Sequence, residues 1–113
     1  MKRIIIDTDF LLDCAKWKID LFSGFEKACD FHYELCILDK TLEELEGKEG
    51  SKLAKTYATR LKVIETSMDK PVDELILEMG PCIVATQDKE LKEKLKKAHF
   101  SLMTIRQKKY FVM

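Results

Sequence analysis

The sequence predicts an α/β fold, a three-layer α/β/α sandwich around a central and mainly parallel sheet. Short apolar runs rich in β-branched residues alternate with segments of helical periodicity, which is typical of βαβ units. Acidic residues follow several of these runs. They would lie at the carboxyl edge of the sheet, where open α/β folds keep their sites.

The composition is that of one folded domain spanning residues 1–113. Hydrophobic residues make up 46% of the chain and charged residues 35%, which is typical of globular rather than disordered proteins. No apolar run approaches the roughly 20 residues needed to span a bilayer. Only three isoleucines precede Asp7, too few for a signal-peptide core. We therefore expect a cytoplasmic location.

The cysteines argue against a zinc or redox motif. No two of them have Cys-x-x-Cys spacing, and neither histidine has a ligand-like spacing to a cysteine. We expect free and mostly buried thiols at Cys14, Cys29, Cys36 and Cys82.

The predicted strands are β-branched or aromatic runs bounded by polar, Gly or Pro residues. They cover residues 3–6, 33–38, 82–86 and 100–105, with an added edge strand at 110–113.

The predicted helices lie between these strands. A short helix begins at residues 10–14, and residues 20–29 carry apolar positions at helical spacing. Asp39 or Thr41 followed by glutamates indicates another helix start. An amphipathic stripe predicts one helix over 51–64, and Pro71 begins a helix that Gly80 stops. Residues 89–97 complete the set.

Acids stand where strands end or helices begin. Asp7 follows the first strand directly, and Asp88 follows the strand at 82–86. Glu44 lies near the apolar edge of its short helix, and Asp73 and Glu74 open another. Each has an ordinary alternative, since such acids also cap helices or favour their amino ends. Converging carboxylates, however, repel each other unless a cation lies between them, and oxygen-only ligands suit Mg²⁺ or Mn²⁺.

The charge is unevenly distributed. Residues 89–113 hold eight Lys or Arg and two Asp or Glu, a balance of +6, which leaves residues 1–88 of this neutral chain at −6. A basic edge beside an acidic metal pocket would suit a phosphodiester substrate. The alternative is that the lysines of 89–97 form the solvated face of a helix.

Five segments resemble PIN-domain ribonucleases, in particular the archaeal branch similar to rRNA-processing PIN proteins. They are DTDFLL at 7–12, TLEELE at 41–46, VDELIL at 72–77, IVATQDKEL at 83–91 and IRQKKY at 105–110. The segment around VATQDKEL is the most specific of them. The resemblance covers nearly the whole chain and implies a PIN-like sandwich, endonucleolytic cleavage of RNA and often a homodimer.

The resemblance also implies a set of functional residues. Four acids would bind Mg²⁺ or Mn²⁺ and carry catalysis: Asp7, Glu44, Asp73 and Asp88, with Glu74 as a further candidate metal ligand. Thr86 and Asp9 would support them. Candidate RNA contacts are Lys89, Arg106, Lys108 and Lys109.

Departures from the family pattern leave one metal position open. Asp9 replaces the usual asparagine, and Glu74 stands where an aspartate is usual, followed by a segment shorter than expected. Either Asp73 or Glu74 would fill the third metal position, and reduced activity is one expectation.

Three functions follow. The first is a metal-dependent endoribonuclease, in RNA processing or maturation or as the toxin of a toxin–antitoxin pair with an antitoxin partner. The second is a catalytically weak RNA-binding or assembly module with the PIN fold. The third is a response-regulator receiver domain with Asp39 as phosphoacceptor. For a homodimer, we expect an exposed apolar surface at residues 110–113.

Overall fold

The structure, a computed structural model, describes residues 1–66 and 68–113. The strands are β1 Lys2–Ile6, β2 Tyr33–Leu38, β3 Lys62–Ile64, β4 Ile83–Ala85, β5 Ser101–Arg106 and β6 Tyr110–Val112. The helices are α1 Thr8–Lys16, α2 Leu21–Ala28, α3 Asp39–Leu45, α4 Ser51–Ala58, α5 Val72–Glu78 and α6 Lys89–Lys97.

The strands form one sheet in the order β3-β2-β1-β4-β5-β6. All neighbouring pairs are parallel except β5 and β6. The order reverses between β1 and β4, so the crevice at their carboxyl ends is the topological switch point where α/β sheets bind ligands. The predicted fold class is confirmed.

The alternation of side chains along β1 assigns the two helical layers. Ile4 and Ile6 belong to the core under α1, α2 and α4, together with Phe10 and Phe25. Ile5 points to the other core, which α5 and α6 cover. Successive strand residues face opposite sides of a sheet, and a parallel sheet is covered on both. The three isoleucines therefore hold the sandwich together from its centre.

The helix predicted over 51–64 is wrong in its second half. α4 ends at Ala58, and Lys62–Ile64 forms strand β3 instead, paired with β2. Leu61 and Ile64 continue the helical spacing of α4 by coincidence. The apolar stripe that predicts this helix includes Leu53 as an inward residue, but Leu53 is 37% exposed.

The predicted cap of α3 is also wrong. Its N-cap is Leu38, without a side-chain hydrogen bond. Asp39 lies inside the first turn, where its carboxylate accepts from Lys40 N at 2.8 Å and from Thr66 N and Oγ1 at 3.0 and 2.6 Å. These hydrogen bonds lower the pKa of Asp39. Asp39 is thus tied to the residues after β3, and the strand order is not the 2-1-3-4-5 order of receiver domains. The receiver hypothesis is wrong.

The apolar C-terminal segment is less exposed than predicted. Phe111 is 5% exposed and packs against Phe10 and Phe25. Tyr110 and Met113 are exposed. Gly24 of α2 makes this packing possible, because a Cβ there would lie 2.4 Å from the Phe111 ring.

The cysteines carry free thiols, as expected. All four cysteines are free; Cys14 and Cys36 are buried, whereas Cys29 and Cys82 are half-buried. Within the described residues, no helix has the length and apolar character needed to cross a membrane.

Candidate active site at the carboxyl edge of the sheet

Strand pairing brings Asp7 and Thr86 together. Ile6 pairs with Ala85, and the Asp7 backbone N donates to Ala85 O at 2.9 Å. Asp7 and Thr86, which follow this pair of residues, therefore lie side by side at the carboxyl edge of the sheet. The fully buried Thr86 hydroxyl donates to Asp7 Oδ2 at 2.8 Å. A buried donor holds this carboxylate in one orientation.

Both strand-end aspartates also cap helices. Asp7 Oδ1 accepts from Thr8 N at 2.9 Å at the start of α1. Asp88 Oδ1 accepts from Glu90 N and Leu91 N at 2.9 and 3.2 Å at the start of α6. The capping role considered as an alternative is therefore present. It occupies one carboxylate oxygen of each residue and does not exclude a second role for the other oxygen.

The switch-point crevice is a cavity of about 490 Å³ with an acidic lining. Five carboxylates and one lysine line it: Asp7, Asp9, Glu44, Asp73, Asp88 and Lys48. We refer to it as the acidic pocket. Four acids proposed from sequence line this cavity; they come from the end of β1, from α3, from α5 and from the β4–α6 loop. Glu74 is exposed on α5 and is not among the lining residues.

Glu44 joins the pocket through a side-chain contact. The Thr8 hydroxyl donates to Glu44 Oε1 at 2.5 Å. Thr8 is buried, while Glu44 itself is exposed. Helix α3 therefore presents Glu44 as an exposed side chain in the lining of the crevice. The predicted position of Glu44 near the buried edge of its helix is wrong.

Asp9 stands beside the same loop. Its Oδ1 lies 3.4 Å from both Thr86 Oγ1 and Gln87 N. Burial of the Asp7 carboxyl, and to a smaller extent the neighbouring charge of Asp9, raises the pKa of Asp7 to about 7. Burial and Asp9 likewise raise the pKa of Asp13. The pocket thus concentrates negative charge with little compensation from the chain.

Lys48 is the lysine that the sequence argument missed. It lies between α3 and α4 on a turn with Gly47 at φ 73° and Gly50 at φ 84°. A Cβ at Gly50 would stand 3.5 Å from Ala15 Cβ, so this turn rests on α1. Within the described residues Lys48 has no carboxylate partner. In the sequence, the glycines on either side of Lys48, at positions 47 and 50, were the signal of a turn that could present this lysine.

A second missed group is the network that anchors the β4–α6 loop. Gln87 Oε1 accepts from Ile105 N at 2.8 Å and from the Thr104 hydroxyl at 2.7 Å. Lys92 Nζ donates to Thr104 Oγ1 at 2.8 Å. These hydrogen bonds therefore hold the loop that carries Thr86 and Asp88 against β5. Nothing in the local sequence marks Thr104 for this role.

The predicted RNA contacts do not gather at the acidic pocket. Lys89 is exposed at the start of α6, and Arg106 is exposed at the end of β5. Lys108 and Lys109 line a different groove, beside Trp17.

Comparison with known proteins decides the family. Residues 4–108 match the family model described as "PIN like domain". This chain belongs to the PIN-like domain family. It is 38% identical to Ribonuclease VapC4 of Methanocaldococcus jannaschii, over 98% of this chain and 95% of that protein.

Two further PIN relatives extend the comparison. The chain is 30% identical to the rRNA-processing protein fcf1 of Schizosaccharomyces pombe, over 84% of this chain but only 54% of that protein. The solved structure of the PIN domain endonuclease Utp24 superposes with a TM-score of 0.85 at 28% identity, covering 97% of this chain and 89% of that one. The resemblance inferred from the motifs is confirmed.

The chemistry of the pocket fits the divalent ion that the PIN-like family implies. Its donor set is all oxygen, which suits Mg²⁺ or Mn²⁺. Asp7 is 8% exposed and has no cationic hydrogen-bond partner in the part of the chain described. Among residues 1–66 and 68–113, no three His, Cys, Asp or Glu side chains are arranged so that they could hold a metal ion.

Proposed function

We propose that this protein is an endoribonuclease that hydrolyses RNA phosphodiester bonds with Mg²⁺ or Mn²⁺ held by Asp7, Glu44, Asp73 and Asp88. One observation supports it most strongly: five carboxylates line one cavity at the switch point of a PIN-like sheet. The names of two relatives, a ribonuclease and an endonuclease, agree with this activity.

The acids and the cation have complementary tasks. A divalent ion bound here would offset the charge of the scissile phosphate and favour deprotonation of an attacking water. Asp7 follows β1 directly, and Asp88 lies in the loop after the adjacent strand β4. Asp73, on α5, and Glu44, on α3, approach from the helical layers. Of the two acids at the start of α5, Asp73 is the proposed ligand, because it lines the pocket and Glu74 does not.

Thr86 and Asp9 are proposed as supporting residues. The Thr86 hydroxyl orients Asp7 by donating to its Oδ2, as outer groups orient ligating carboxylates in metal sites. Asp9 adds negative charge within reach of the same loop, which strengthens attraction for a cation.

Lys48 is proposed to contact the RNA phosphate. It is the lysine among the acidic pocket's lining residues. Its turn is fixed against α1, while its side chain is exposed. A cation held beside the reacting phosphate stabilises charge that grows as the bond breaks.

For the biological role we propose RNA processing or maturation. The name of fcf1, an rRNA-processing protein, supports this choice. The chain spans about half of that protein's length, so the partners of the longer protein are not transferred. Growth arrest on expression in cells, relieved by co-expression of a small adjacent protein, would favour the toxin role instead.

Cleavage of an RNA panel tests the activity. Structured and single-stranded RNAs are incubated in Mn²⁺ with the wild type and with an Asp7→Asn, Asp88→Asn double variant. We expect fragments from the wild type that disappear with EDTA and in the variant. Equal cutting by the variant, or none by a folded wild type that binds RNA, would favour the catalytically weak RNA-binding module.

The homodimer and the cytoplasmic location remain predictions. Tyr110 and Met113 are the exposed apolar residues at the C-terminal segment, and light scattering of the purified chain decides between monomer and dimer.

A further inference from the structure

A second groove lies at the other end of α1 and is basic. It has a volume of about 540 Å³ and lies between the α1–α2 turn and the β5–β6 turn. Four lysines and one aspartate line it: Lys18, Lys27, Lys108, Lys109 and Asp20. We refer to it as the basic groove. The Asp20 carboxylate is already engaged, since its Oδ1 caps α2 by accepting from Phe22 N and Ser23 N at 3.1 and 3.3 Å.

The lysines are available to an anion. All four are exposed, and within the described residues none of them pairs with a carboxylate. Like charges gathered at one groove repel, so an anion bound among them relieves that repulsion.

Aromatic rings stand among these lysines. Trp17 is half-buried, and Lys108 Nζ lies 5.5 Å from the centre of its ring. Tyr110 is 44% exposed on the same lining. Lysines beside accessible aromatic faces are typical of surfaces that bind single-stranded nucleic acid, where phosphates contact the charges and bases stack on the rings.

Two of these lysines adopt a costly backbone conformation. Lys18 has φ 54° and Lys108 φ 54°, both in the left-handed region that glycine or asparagine normally occupies. In the β5–β6 turn, Gln107 is left-handed too, at φ 56°, and Lys109 N donates to Arg106 O at 3.1 Å. Hairpin turns of this type favour Asn-Gly. The chain carries lysine instead at a position where glycine would be less strained.

Helix α1 joins this groove to the acidic pocket. Asp7 caps its start and Trp17 its end, and ten residues of helix rise about 15 Å. That span corresponds to about four nucleotides of a stacked strand, taking the axial rise of about 3.4 Å per nucleotide of a duplex strand.

We propose that the basic groove binds the phosphate backbone of single-stranded RNA that extends from the acidic pocket along α1. The lysines contact phosphates, and Trp17 and Tyr110 offer stacking surfaces. The choice of RNA rests on the proposed function; an acidic polypeptide is the competing ligand that the test distinguishes.

Trp17 makes the test site-specific, because it is the single tryptophan of the chain. The probe is a fluorescein-labelled single-stranded RNA of roughly 12 nucleotides, longer than the span above. It is titrated in Mg²⁺ with protein carrying Asp7→Asn, because this variant is expected to cleave RNA far more slowly than the wild type. Anisotropy gives Kd, and an unlabelled RNA of the same sequence gives the Trp17 fluorescence change.

The variants exploit the left-handed positions. Lys18→Gly with Lys108→Gly removes two charges while relieving strain, so the melting temperature should stay equal or rise. We expect Kd to weaken about 10-fold and the salt dependence of log K to become shallower by about 1.4, near 0.7 per phosphate contact for single strands. Gln107→Gly relieves the same turn without removing charge, and Lys97→Ala removes a charge from α6 on the opposite layer. Both controls should keep Kd within about 2-fold.

Several outcomes would overturn the proposal. One is RNA binding that leaves Trp17 fluorescence unchanged and is equal in the double glycine variant and its controls. Another is displacement of the bound RNA by polyglutamate of equal total charge, measured by anisotropy and by Trp17 fluorescence. That result would assign the groove to an acidic polypeptide. The assay needs no turnover. Binding at the groove by the Asp7→Asn protein, together with a wild type that cuts nothing in the RNA panel, would therefore count against the proposed nuclease activity but not against the groove.

Discussion

The two ends of α1 carry two candidate sites of opposite charge, and the side chains of each are held in a different way. At its start, carboxylates are placed by strand pairing and by a buried hydroxyl, with Asp7 8% exposed. At its end, exposed lysines lie on two turns and on helix α2. Chemistry at a scissile bond needs positions held within fractions of an ångström, whereas attraction of a charged backbone tolerates mobile side chains. From this difference we expect the acidic pocket to control turnover and the basic groove to control affinity for RNA.

The largest expected effect is loss of turnover in Asp7→Asn. Asparagine keeps the size and the helix cap but removes the charge that would hold a cation. We expect kcat for RNA cleavage to fall about 10³-fold. Asp30→Asn, an exposed acid after α2, is the control and should stay within about 2-fold of wild type. Equal losses in both would refute a special role for Asp7.

The next effect is a pH dependence of stability in metal-free protein. The pKa of Asp7 is raised from 3.8 to about 7 by burial and by Asp9. The folded state therefore binds more protons than the unfolded state between these values, so stability is greatest below about pH 4 and declines as pH rises to about 7.

Urea unfolding in EDTA measures that decline. From pH 5 to pH 8, wild type should lose ~2–3 kcal/mol relative to Asp7→Asn. A difference that stays constant across this interval would show that Asp7 is ionised throughout.

A smaller effect separates two adjacent acids. Asp73 lines the acidic pocket and Glu74 does not. Asp73→Asn should lower kcat about 10²-fold, while Glu74→Gln should change it less than about 3-fold. Single-turnover cleavage in saturating Mn²⁺ makes the comparison, and the reverse ranking would move the third ligand to Glu74.

The smallest effect concerns Lys48. Lys48→Ala should lower kcat/KM for RNA about 10-fold, because the pocket loses its lysine. Lys52→Ala, an exposed lysine on α4, provides the matched control. If both variants behave alike in competition assays, Lys48 contributes only general charge.

Most of the acidic site was predictable from sequence, because strand ends can be read locally. Asp7 and Asp88 each follow a short β-branched run, and parallel strands bring such ends to one edge. The boundary of α4 could not be read, since Leu61 and Ile64 match a helical period while Lys62–Ile64 pairs with β2. Side-chain periodicity carries no information on where pairing with a distant strand replaces a helix.

The basic groove could not be predicted as a unit. Lys108 and Lys109 stand out as charges, but their neighbours Lys18 and Trp17 are distant in sequence. Their meeting depends on the length of α1 and on the left-handed turn between β5 and β6. A contact that depends on the length of a helix and on a distant turn leaves no pattern in the local sequence. The same holds for Thr104, whose contact with Gln87 depends on the pairing of β4 with β5.

Steady-state cleavage of one single-stranded RNA in Mn²⁺ tests the division between the two sites most directly. It compares wild type, Asp7→Asn and the Lys18→Gly, Lys108→Gly double variant. We predict a kcat loss with little change in KM for Asp7→Asn, and a KM about 10-fold higher at unchanged kcat for the double variant. A loss of kcat in the double variant, or unchanged kcat in Asp7→Asn, would contradict the assignment of turnover to the acidic pocket and affinity to the basic groove.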